Sequence, residues 1–312
     1  MARSSRYKDI QLPQLRSFCW TATQQNFSTA ARALGLTPSA VWQQVRALER
    51  RLGTTLVRRR GRSVEITPEG RLLLELIQAP VNALDSLERI FEARRGELPQ
   101  HVTITSTTYL FSCHLAEPIQ EFLGAYPAVR LNLRAGMGHA EVVRPIELGE
   151  ADLGVLPHES GEARSAHLVY EPLFDLELFL LTASRHPLAQ KKHVSAVDLV
   201  RFPMILSPRD THARRALERV LQRHDLMDEV QAVMETGSLE MMCKYAALGV
   251  GVAVRYLGQD ALRSVPGLSC RPLDLDEPKL PVVLLTRKSA FQPETVERLV
   301  EVLRRRLACI TT

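Results

Sequence analysis

Hydrophobic and polar residues between positions 28 and 52 recur with the period of two short helices separated by Gly35. When each residue of the second helix advances by about 100°, one side is polar and the opposite side is aliphatic. The polar side comprises Ser39, Gln43, Arg46 and Arg50, and the aliphatic side comprises Val41, Val45, Leu48 and Leu52. Such a helix packs one side against its own domain and presents the other to base edges in a DNA major groove. Double-stranded DNA is therefore the first predicted partner.

Helix-start signals flank this pair of helices. An apolar stripe predicts an additional helix over residues 13–24, and Ser28 is the predicted N-cap of a helix over residues 29–34. Thr37 followed by Pro38 predicts the start of the next helix, because threonine caps well and proline suits the first helical position. Thr37 thus joins the residues expected to face the duplex.

After Gly53 the pattern becomes that of a β-hairpin, with strands at residues 56–58 and 64–66. The turn-like segment 59–62 carries Arg59, Arg60 and Arg62. Guanidinium groups on a hairpin beside the polar helix bind phosphates, which adds affinity without distinguishing base sequence. The N-terminal region is therefore predicted to be a winged helix-turn-helix.

A long helical pattern follows, beginning at Thr67 and Pro68 and running to residue 95, with Gly96 as its predicted end. Pro80 is expected to kink or locally unwind it. A heptad-like apolar stripe comprises Leu73, Ile77, Pro80, Leu84, Leu87 and Phe91. The stripe favours a homodimer over packing against the chain's own body, and a dimer would place two recognition helices on adjacent half-sites.

The remaining chain alternates strand-like and helical segments. Strands are predicted at 102–105, 129–133, 151–156, 178–181, 204–206, 251–254 and 281–286, and helices include 211–224, 239–248 and 293–307. This alternation predicts an α/β fold with a parallel sheet. Ligands of such sheets bind at the carboxyl ends of the strands, where helix N-termini direct their amide groups.

The 312 residues carry a net charge of +5, unevenly distributed. Residues 1–96 contain 16 Lys and Arg against 8 Asp and Glu, a net charge of +8, whereas the rest of the chain carries −3. A basic head on a slightly acidic body fits a polyanion-binding module attached to a domain with another task. There is no apolar run long enough to span a membrane and no signal-like N-terminus, so we expect a soluble, cytoplasmic protein without a membrane partner.

An enzyme, a metal site and a cofactor are not expected. The five cysteines lack metal-ligand spacing, and Cys113 with His114 has no second pair. No nucleophile elbow or phosphate-binding glycine loop occurs. His139 and Asp152 are the one conceivable catalytic pair of a hydrolase-like enzyme, but no nucleophile accompanies them.

At this point the head resembles that of a LysR-type transcriptional regulator. The matching segments are residues 12–18, 26–34, 47–53 and 67–70, and the resemblance continues through the body. The chain departs from the family pattern at Trp42 and Gln43, where members usually have a small hydroxyl residue and arginine, and at Pro38 and Ser39, where glutamine and proline are common. We therefore expect Gln43 to pair with adenine and Arg46 to contact phosphate or guanine.

The resemblance implies three regions: a DNA-binding domain at 1–66, a dimerisation helix at 67–96 and an effector domain at 97–312. The effector domain would have two lobes like periplasmic binding proteins, lobe I at 97–170 and 272–312 and lobe II at 171–271. Family roles place the effector at Ser106, Thr107, Thr108, Gly136, Met137, His139, Ser207, Thr211, Thr236, Gly237 and Ser238. Hydroxyls and free amides there favour a small anionic or polar effector. A homodimer or homotetramer is implied, with RNA polymerase as a further partner.

Two alternatives refine this interpretation. Residues 104–115 and 149–154 resemble the branch that controls sulfur assimilation and responds to sulfate or acetylserine-type ligands. A redox-responsive regulator would use Cys243 or Cys270, although region 200–230, where the family's peroxide sensors carry a cysteine pair, contains no cysteine.

Overall fold

The computed structural model describes residues 10–61, 63–95, 101–136, 138–165, 167–258, 265–288 and 292–308. The chain forms two compact units. The first extends to residue 98 and includes the short segments 165–168 and 287–293, and the second contains the remainder. Among the described residues, no helix is long and apolar enough to cross a membrane.

The first unit begins with three helices, α1 (Leu12–Gln24), α2 (Phe27–Leu34) and α3 (Pro38–Leu52). Gly35 ends α2 with a φ of 64°, a left-handed conformation that a residue with a β-carbon resists. Thr37 caps α3, as predicted, because its hydroxyl accepts the N–H of Ala40 at 3.2 Å. The helix-turn-helix predicted from these signals is therefore present.

The N-cap of α2 is Asn26, and the prediction of Ser28 was wrong. The Asn26 side-chain oxygen accepts the N–H groups of Ser28 and Thr29 at 2.8 and 3.1 Å. Asparagine is among the best N-caps, and its position lets the helix begin two residues earlier than the serine would.

The aliphatic side of α3 is buried, as the periodicity predicts. Val41, Val45 and Leu48 are each 0% exposed. Leu52, placed on the same side by the periodicity, is 39% exposed because it is the final residue of the helix. The core of this unit is a cluster of Phe18, Ala22, Val45, Leu48, Leu56, Val57 and Val64.

The hairpin consists of β1 (Val57–Arg60) and β2 (Ser63–Ile66), paired antiparallel. Arg59 and Arg60 lie in strand β1, so their predicted position in the turn was wrong. The turn contains Gly61, whose φ of 61° requires the left-handed region. Arg62 lies outside the described residues.

Helix α4 (Pro68–Arg95) is continuous through Pro80, so the predicted local unwinding is not found. Thr67 precedes it, and its hydroxyl donates to the carbonyls of Thr55 and Leu56 at 2.7 and 3.0 Å. The same hydroxyl accepts the N–H of Gly70 at 3.0 Å. A β-carbon on Gly70 would lie 2.2 Å from the Leu56 carbonyl oxygen, so the first turn of α4 packs directly against the start of the hairpin.

The apolar stripe of α4 divides into two parts. Leu73 and Ile77 pack against the core of the first unit, so this part of the stripe does not await a partner. Five other large apolar side chains are exposed: Leu72 at 60%, Leu76 at 65%, Leu84 at 48%, Leu87 at 57% and Phe91 at 60%. At about 100° per residue these five span about 120° of the helix. They form one apolar face, which we call the α4 face.

The second unit opens with three parallel strands and their helices. These are β3 (His101–Thr107), α5 (Thr108–Leu110), a π-helical turn at Phe111–Leu115, α6 (Ala116–Ala125), β4 (Arg130–Gly136), α7 (His139–Glu147) and β5 (Leu153–Pro157). Strand β3 pairs in parallel with both β4 and β5. The parallel α/β arrangement predicted from the alternation is present.

The chain then forms the second lobe and returns. The elements are β6 (Leu168–Ala183), α8 (Pro187–Gln190), α9 (Ala196–Val200), β7 (Met204–Leu206), α10 (His212–Arg223), a 3-10 turn at Met227–Glu229, β8 (Ala232–Glu235), α11 (Leu239–Ala247), β9 (Ala253–Leu257), β10 (Leu268–Pro272), β11 (Leu280–Arg287) and α12 (Glu294–Ala308). The larger sheet has the order β10-β6-β11-β5-β3-β4, with β9 on β6, and β7 pairs with β8. Because β11 lies antiparallel on β5, the end of the chain returns to the first lobe, as predicted.

Candidate functional sites

The polar side of α3 is the first candidate site. Ser39, Gln43 and Arg50 are exposed, as a surface that contacts DNA must be. Arg46 is half-buried, and its Nη1 donates to Glu49 Oε2 at 2.7 Å. Its guanidinium carbon also lies 5.5 Å from the centroid of the Trp42 ring. Gln43 and Arg50 are therefore exposed to contact bases, whereas the Ser39 hydroxyl lies 3.0 Å from that of Thr37 and Arg46 must first leave its carboxylate partner.

Glu49 is an important residue that the sequence analysis missed. It is only 6% exposed, and its Oε1 accepts the backbone N–H groups of Leu56 and Val57 at 2.9 and 3.1 Å. One carboxylate therefore joins α3 to the start of β1. The signal in the sequence was a single acidic residue directly after the buried Leu48.

The arginines of strand β1 form the second candidate surface. Arg58, Arg59 and Arg60 are all exposed, and Arg59 Nε donates to the carbonyl of Gly61 at 3.2 Å. Neighbouring exposed guanidinium groups suit phosphate binding. This strand thus has the charge expected of a wing beside a duplex.

The second unit contains a cavity of about 470 Å³ at the carboxyl ends of β3, β4 and β5, facing the N-terminal end of α10. Six of the predicted effector residues line it: Thr107, Thr108, Gly136, His139, Thr211 and Gly237. A volume of this size suits a small molecule.

The other five predicted effector residues are not among the described residues that line the cavity. Ser106 lies inside β3, is 0% exposed and donates its hydroxyl to the carbonyl of Val155 at 2.6 Å. The predicted strand stopped two residues too early, and this placed Ser106 wrongly after the strand. Thr236 accepts the N–H of Ser238 at 3.2 Å, and Ser238 caps α11. Ser207 is 3% exposed, and Met137 lies outside the described residues.

Arg255 lines the cavity and was not predicted from the sequence. Burial lowers the pKa of its guanidinium, which nevertheless stays charged. Among the described residues, the guanidinium hydrogen-bonds only to the Ser207 hydroxyl, at 3.1 Å. Since a guanidinium has five N–H donors, this bond leaves donors with which Arg255 can bind a ligand in the cavity that it lines. Its position within a buried strand, β9, gave no sequence signal.

Tyr109 lies beside Arg255 on the cavity wall. Its hydroxyl lies 2.9 Å from His114 Nε2 and accepts the N–H of Gly258 at 2.8 Å. Burial raises the pKa of Tyr109, so the phenol is neutral. The wall around Arg255 therefore adds no negative charge from this side chain.

The rim of the cavity carries ion pairs between the loop after β5 and helix α10. Glu162 accepts from Arg215 at 2.8 Å and lies 3.1 Å from His212 Nε2. Glu159 lies 2.9 Å from Arg219 and 3.5 Å from Arg215. We call these five residues the rim pairs. Burial alone would raise the pKa of Glu162, but hydrogen bonds from His212 and the Glu159 N–H, with the positive charges of His212 and Arg215, lower it overall.

The hydrolase-like alternative fails on geometry. Asp152 Oδ2 accepts the N–H of Thr103 at 2.8 Å, near the amino end of β3. His139 begins α7 and lines the cavity at the carboxyl ends of the strands. The two side chains therefore lie at different ends of the sheet.

The thiols named for the redox alternative are poorly suited to it. Burial raises the pKa of Cys243 to about 11 and that of Cys270 to about 12. Both thiols are therefore protonated at neutral pH, whereas the thiolate is the form that reacts with oxidants.

A winged helix-turn-helix followed by a two-lobed α/β domain with a ligand-sized cavity defines a DNA-binding regulator with an effector domain. Residues 12–71 match the family model "Bacterial regulatory helix-turn-helix protein, lysR family", and residues 95–308 match "LysR substrate binding domain". The chain belongs to the LysR family of transcriptional regulators.

Curated relatives and solved structures agree with this assignment. The HTH-type transcriptional activator CmpR of Synechocystis sp. is 26% identical over 266 residues, which cover 83% of each chain. A full-length OxyR variant from Pseudomonas aeruginosa has a TM-score of 0.61 at 21% identity and covers 94% of each chain. CbnR in complex with its target DNA has a TM-score of 0.53 at 21% identity, covering 95% of this chain and 99% of that one. At these identities the solved structures support the fold alone.

Proposed function

We propose that this regulator binds operator half-sites through the exposed side of α3 and the β1 arginines, and that a small anionic effector bound at Arg255 controls it. The protein would act in the cytoplasm, where its DNA is, without catalysing a reaction. The effector assignment depends on the environment of Arg255. A largely buried guanidinium with one hydroxyl partner among the described residues is suited to a carboxylate, sulfate or phosphate group.

The neighbouring residues support an anion at this position. Thr107 and Thr108 bring hydroxyl groups to the same cavity, and Gly237 brings backbone with no side chain to obstruct a ligand. These groups satisfy a polar ligand, while Leu176 and Leu280 provide apolar lining. The effector would therefore combine a charged group with a small apolar part.

The effector assignment is tested with purified protein and a set of small anions, including sulfate, acetate and dicarboxylates, in thermal-shift measurements. We expect at least one anion to raise the melting temperature of the wild type and of the surface variant Arg201→Gln. Arg255→Gln should weaken that anion's binding at least about 30-fold, because removing one partner of a buried charge pair costs about 2 kcal/mol or more. Equal stabilisation of Arg255→Gln would refute the assignment.

DNA recognition is tested separately on α3. Gln43→Ala combined with Arg50→Ala should reduce discrimination between operator and non-operator DNA by about 1–3 kcal/mol for each side chain that hydrogen-bonds to a base. Arg32→Ala, an exposed change on α2, serves as the control. Quantitative band-shift titrations at one fixed salt concentration measure the ratio. A double variant with unchanged discrimination would show that α3 does not contact bases.

A further inference from the structure

Three imidazoles and one carboxylate converge beside the cavity and are not explained by an anionic effector. His139 begins α7, His158 follows β5, Glu162 lies in the next loop and His212 begins α10. The ligand atoms of His139, His158 and Glu162 all lie within 4.8 Å of one another. His212 Nε2 lies 3.1 Å from Glu162, and His158 Nδ1 lies 3.6 Å from it.

Two of these nitrogen atoms are buried without a hydrogen-bond partner. They are His139 Nε2 and His158 Nδ1, and no atom among the described residues satisfies either of them. His158 as a whole is 3% exposed. A buried polar atom with no partner is unfavourable, so a pair of them on neighbouring rings indicates a ligand that satisfies both. The two ring centroids are 5.7 Å apart.

We propose that His139, His158 and Glu162 form a binding site for a divalent transition-metal ion, and that His212 of the second lobe, which in the structure groups with Glu159 and Glu162, moves onto the ion as a fourth ligand. Imidazole nitrogens with one carboxylate oxygen suit Zn²⁺, Cu²⁺ or Ni²⁺, whereas Mg²⁺ and Ca²⁺ prefer oxygen alone. Ligand atoms around a tetrahedral zinc lie about 3.3 Å apart. Small side-chain rotations on metal binding would therefore bring the three ligand atoms closer together.

A metal at His158 Nδ1 would change the hydrogen bonding of this ring. Arg164 Nε donates to His158 Nε2 at 3.4 Å, so a metal on Nδ1, which places the proton on Nε2, would break this hydrogen bond. The guanidinium carbon of Arg164 also lies 5.4 Å from the centroid of the Tyr170 ring, and this contact does not depend on His158.

The metal would connect the two lobes of the second unit. Three ligands belong to the first lobe, and His212 belongs to helix α10 of the second. Metal binding would break the ion pair between Glu162 Oε1 and Arg215 Nη2, which lie 2.8 Å apart. The site is separate from the Arg255 anion position in its ligands, so it does not depend on the proposed effector.

The test uses full-length, tag-free protein dialysed against Zn²⁺ or Co²⁺. We expect one ion bound per chain, with a Co²⁺ visible spectrum typical of nitrogen and oxygen ligands and no thiolate charge-transfer band. His139→Gln and Glu162→Gln should each weaken Zn²⁺ binding by more than the roughly 10- to 100-fold typical of removing an outer partner of a ligand. Competition with a chromophoric chelator measures the affinities.

His193→Gln is the matched control, since it makes the same change at an exposed position outside the cavity. It should bind Zn²⁺ as the wild type does. His212→Gln, a change at the start of α10, provides an independent variant if His158→Gln does not fold, and it should also weaken binding. The proposal is overturned if the wild type binds no stoichiometric Zn²⁺ or Co²⁺, or if the His139 and His212 variants bind as tightly as the control. Either result leaves the Arg255 test unaffected.

Discussion

At the level of single residues, Glu49 shows how a buried charge fixes a DNA-binding surface. Its carboxylate accepts two backbone N–H groups of the hairpin and the guanidinium of Arg46. These bonds set the position of β1 relative to α3, and thus the spacing between the side chains proposed to contact bases and the arginines proposed to bind phosphates. Glu49 would therefore contribute to recognition without contacting DNA.

Glu49→Gln should lower the free energy of unfolding of the first unit by about 1–2 kcal/mol, because charge-assisted hydrogen bonds are replaced by neutral ones. Both tryptophans of the chain, Trp20 and Trp42, lie in this unit, so urea unfolding followed by tryptophan fluorescence reports on it. Glu65→Gln makes the same change at an exposed strand position and should shift stability by less than about 0.5 kcal/mol. Similar values for the two variants would contradict this role.

Thiol reactivity offers a second prediction at this scale. With pKa values of about 11 and 12, Cys243 and Cys270 are almost wholly protonated at pH 8, and their thiolate fractions rise about tenfold per pH unit. Site-resolved mass spectrometry of iodoacetamide labelling should show rates that still increase from pH 8 to pH 10. A plateau near pH 8 for either cysteine would restore the redox alternative.

The sequence predicted the hydroxyl-bearing residues of the cavity better than its charged ones. Thr107, Thr108 and Thr211, which the family resemblance assigned to the effector, line the cavity. Ser106 was misplaced because the end of a strand has no sharp signal in the alternation. Arg255 could not be found, because whether a strand arginine faces solvent or a cavity depends on distant parts of the chain.

At the level of elements, α4 was predicted with correct limits but with only part of its exposed surface. The heptad pattern named Leu84, Leu87 and Phe91, whereas Leu72 and Leu76 complete the α4 face. The pattern failed at Leu73 and Ile77 because it cannot tell a side chain that packs on its own unit from one that awaits another chain. An apolar face of this size on a helix is typical of an interface between copies.

Leu84→Glu combined with Leu87→Glu should therefore separate the oligomer. Burial of each leucine contributes about 1.5–3 kcal/mol, so the double variant should raise the dimer dissociation constant at least about 100-fold. Light scattering with size-exclusion chromatography measures this. Leu248→Glu replaces a leucine that is 65% exposed in the second unit and should leave the molar mass unchanged. An intact oligomer in the double variant would place the interface elsewhere.

A further prediction concerns the β1 arginines and the salt dependence of DNA binding. Arg58→Gln with Arg60→Gln removes two positive charges from each head, and the slope of log K against log salt should fall by about 0.9 for each phosphate no longer neutralised. The preference for operator over non-operator DNA should stay the same, because phosphates carry no base sequence. Arg130→Gln, an exposed change on β4, is the control. An unchanged slope would remove the wing from the interface.

At the level of the whole molecule, the charge distribution separates the two tasks. The basic N-terminal region, at +8, suits DNA, and the acidic remainder, at −3, does not compete for it. Inside the second unit, the rim pairs connect the loop after β5 to helix α10. Partly exposed ion pairs are weak individually, so they add little to the shared sheet and hydrophobic core that join the two lobes.

Glu159→Gln removes the ion pairs of that carboxylate with Arg215 and Arg219. Because such pairs contribute up to about 1 kcal/mol, amide hydrogen exchange in residues 158–164 should accelerate about two- to fivefold at low salt. The acceleration should diminish at high salt, which screens the pairs in the wild type. Glu240→Gln, exposed in the first turn of α11, should leave this segment unchanged. Equal exchange in both variants would mean that the rim pairs do not hold the lobes.

The packing of Thr67 and Gly70 on the Leu56 carbonyl bears on how chimeric regulators are made from this chain. A chimera joined between residues 66 and 67 would replace Thr67 and Gly70. The transplanted head would then lose the contacts that fix its orientation relative to α4. Val81 is 2% exposed and Asp85 accepts a hydrogen bond from Arg16 of α1, so a splice beyond Asp85 would transfer the head together with the part of α4 that packs on it. In such a chimera a rotation of α4 would rotate the polar side of α3 by the same angle, because the two helices would move as one rigid body.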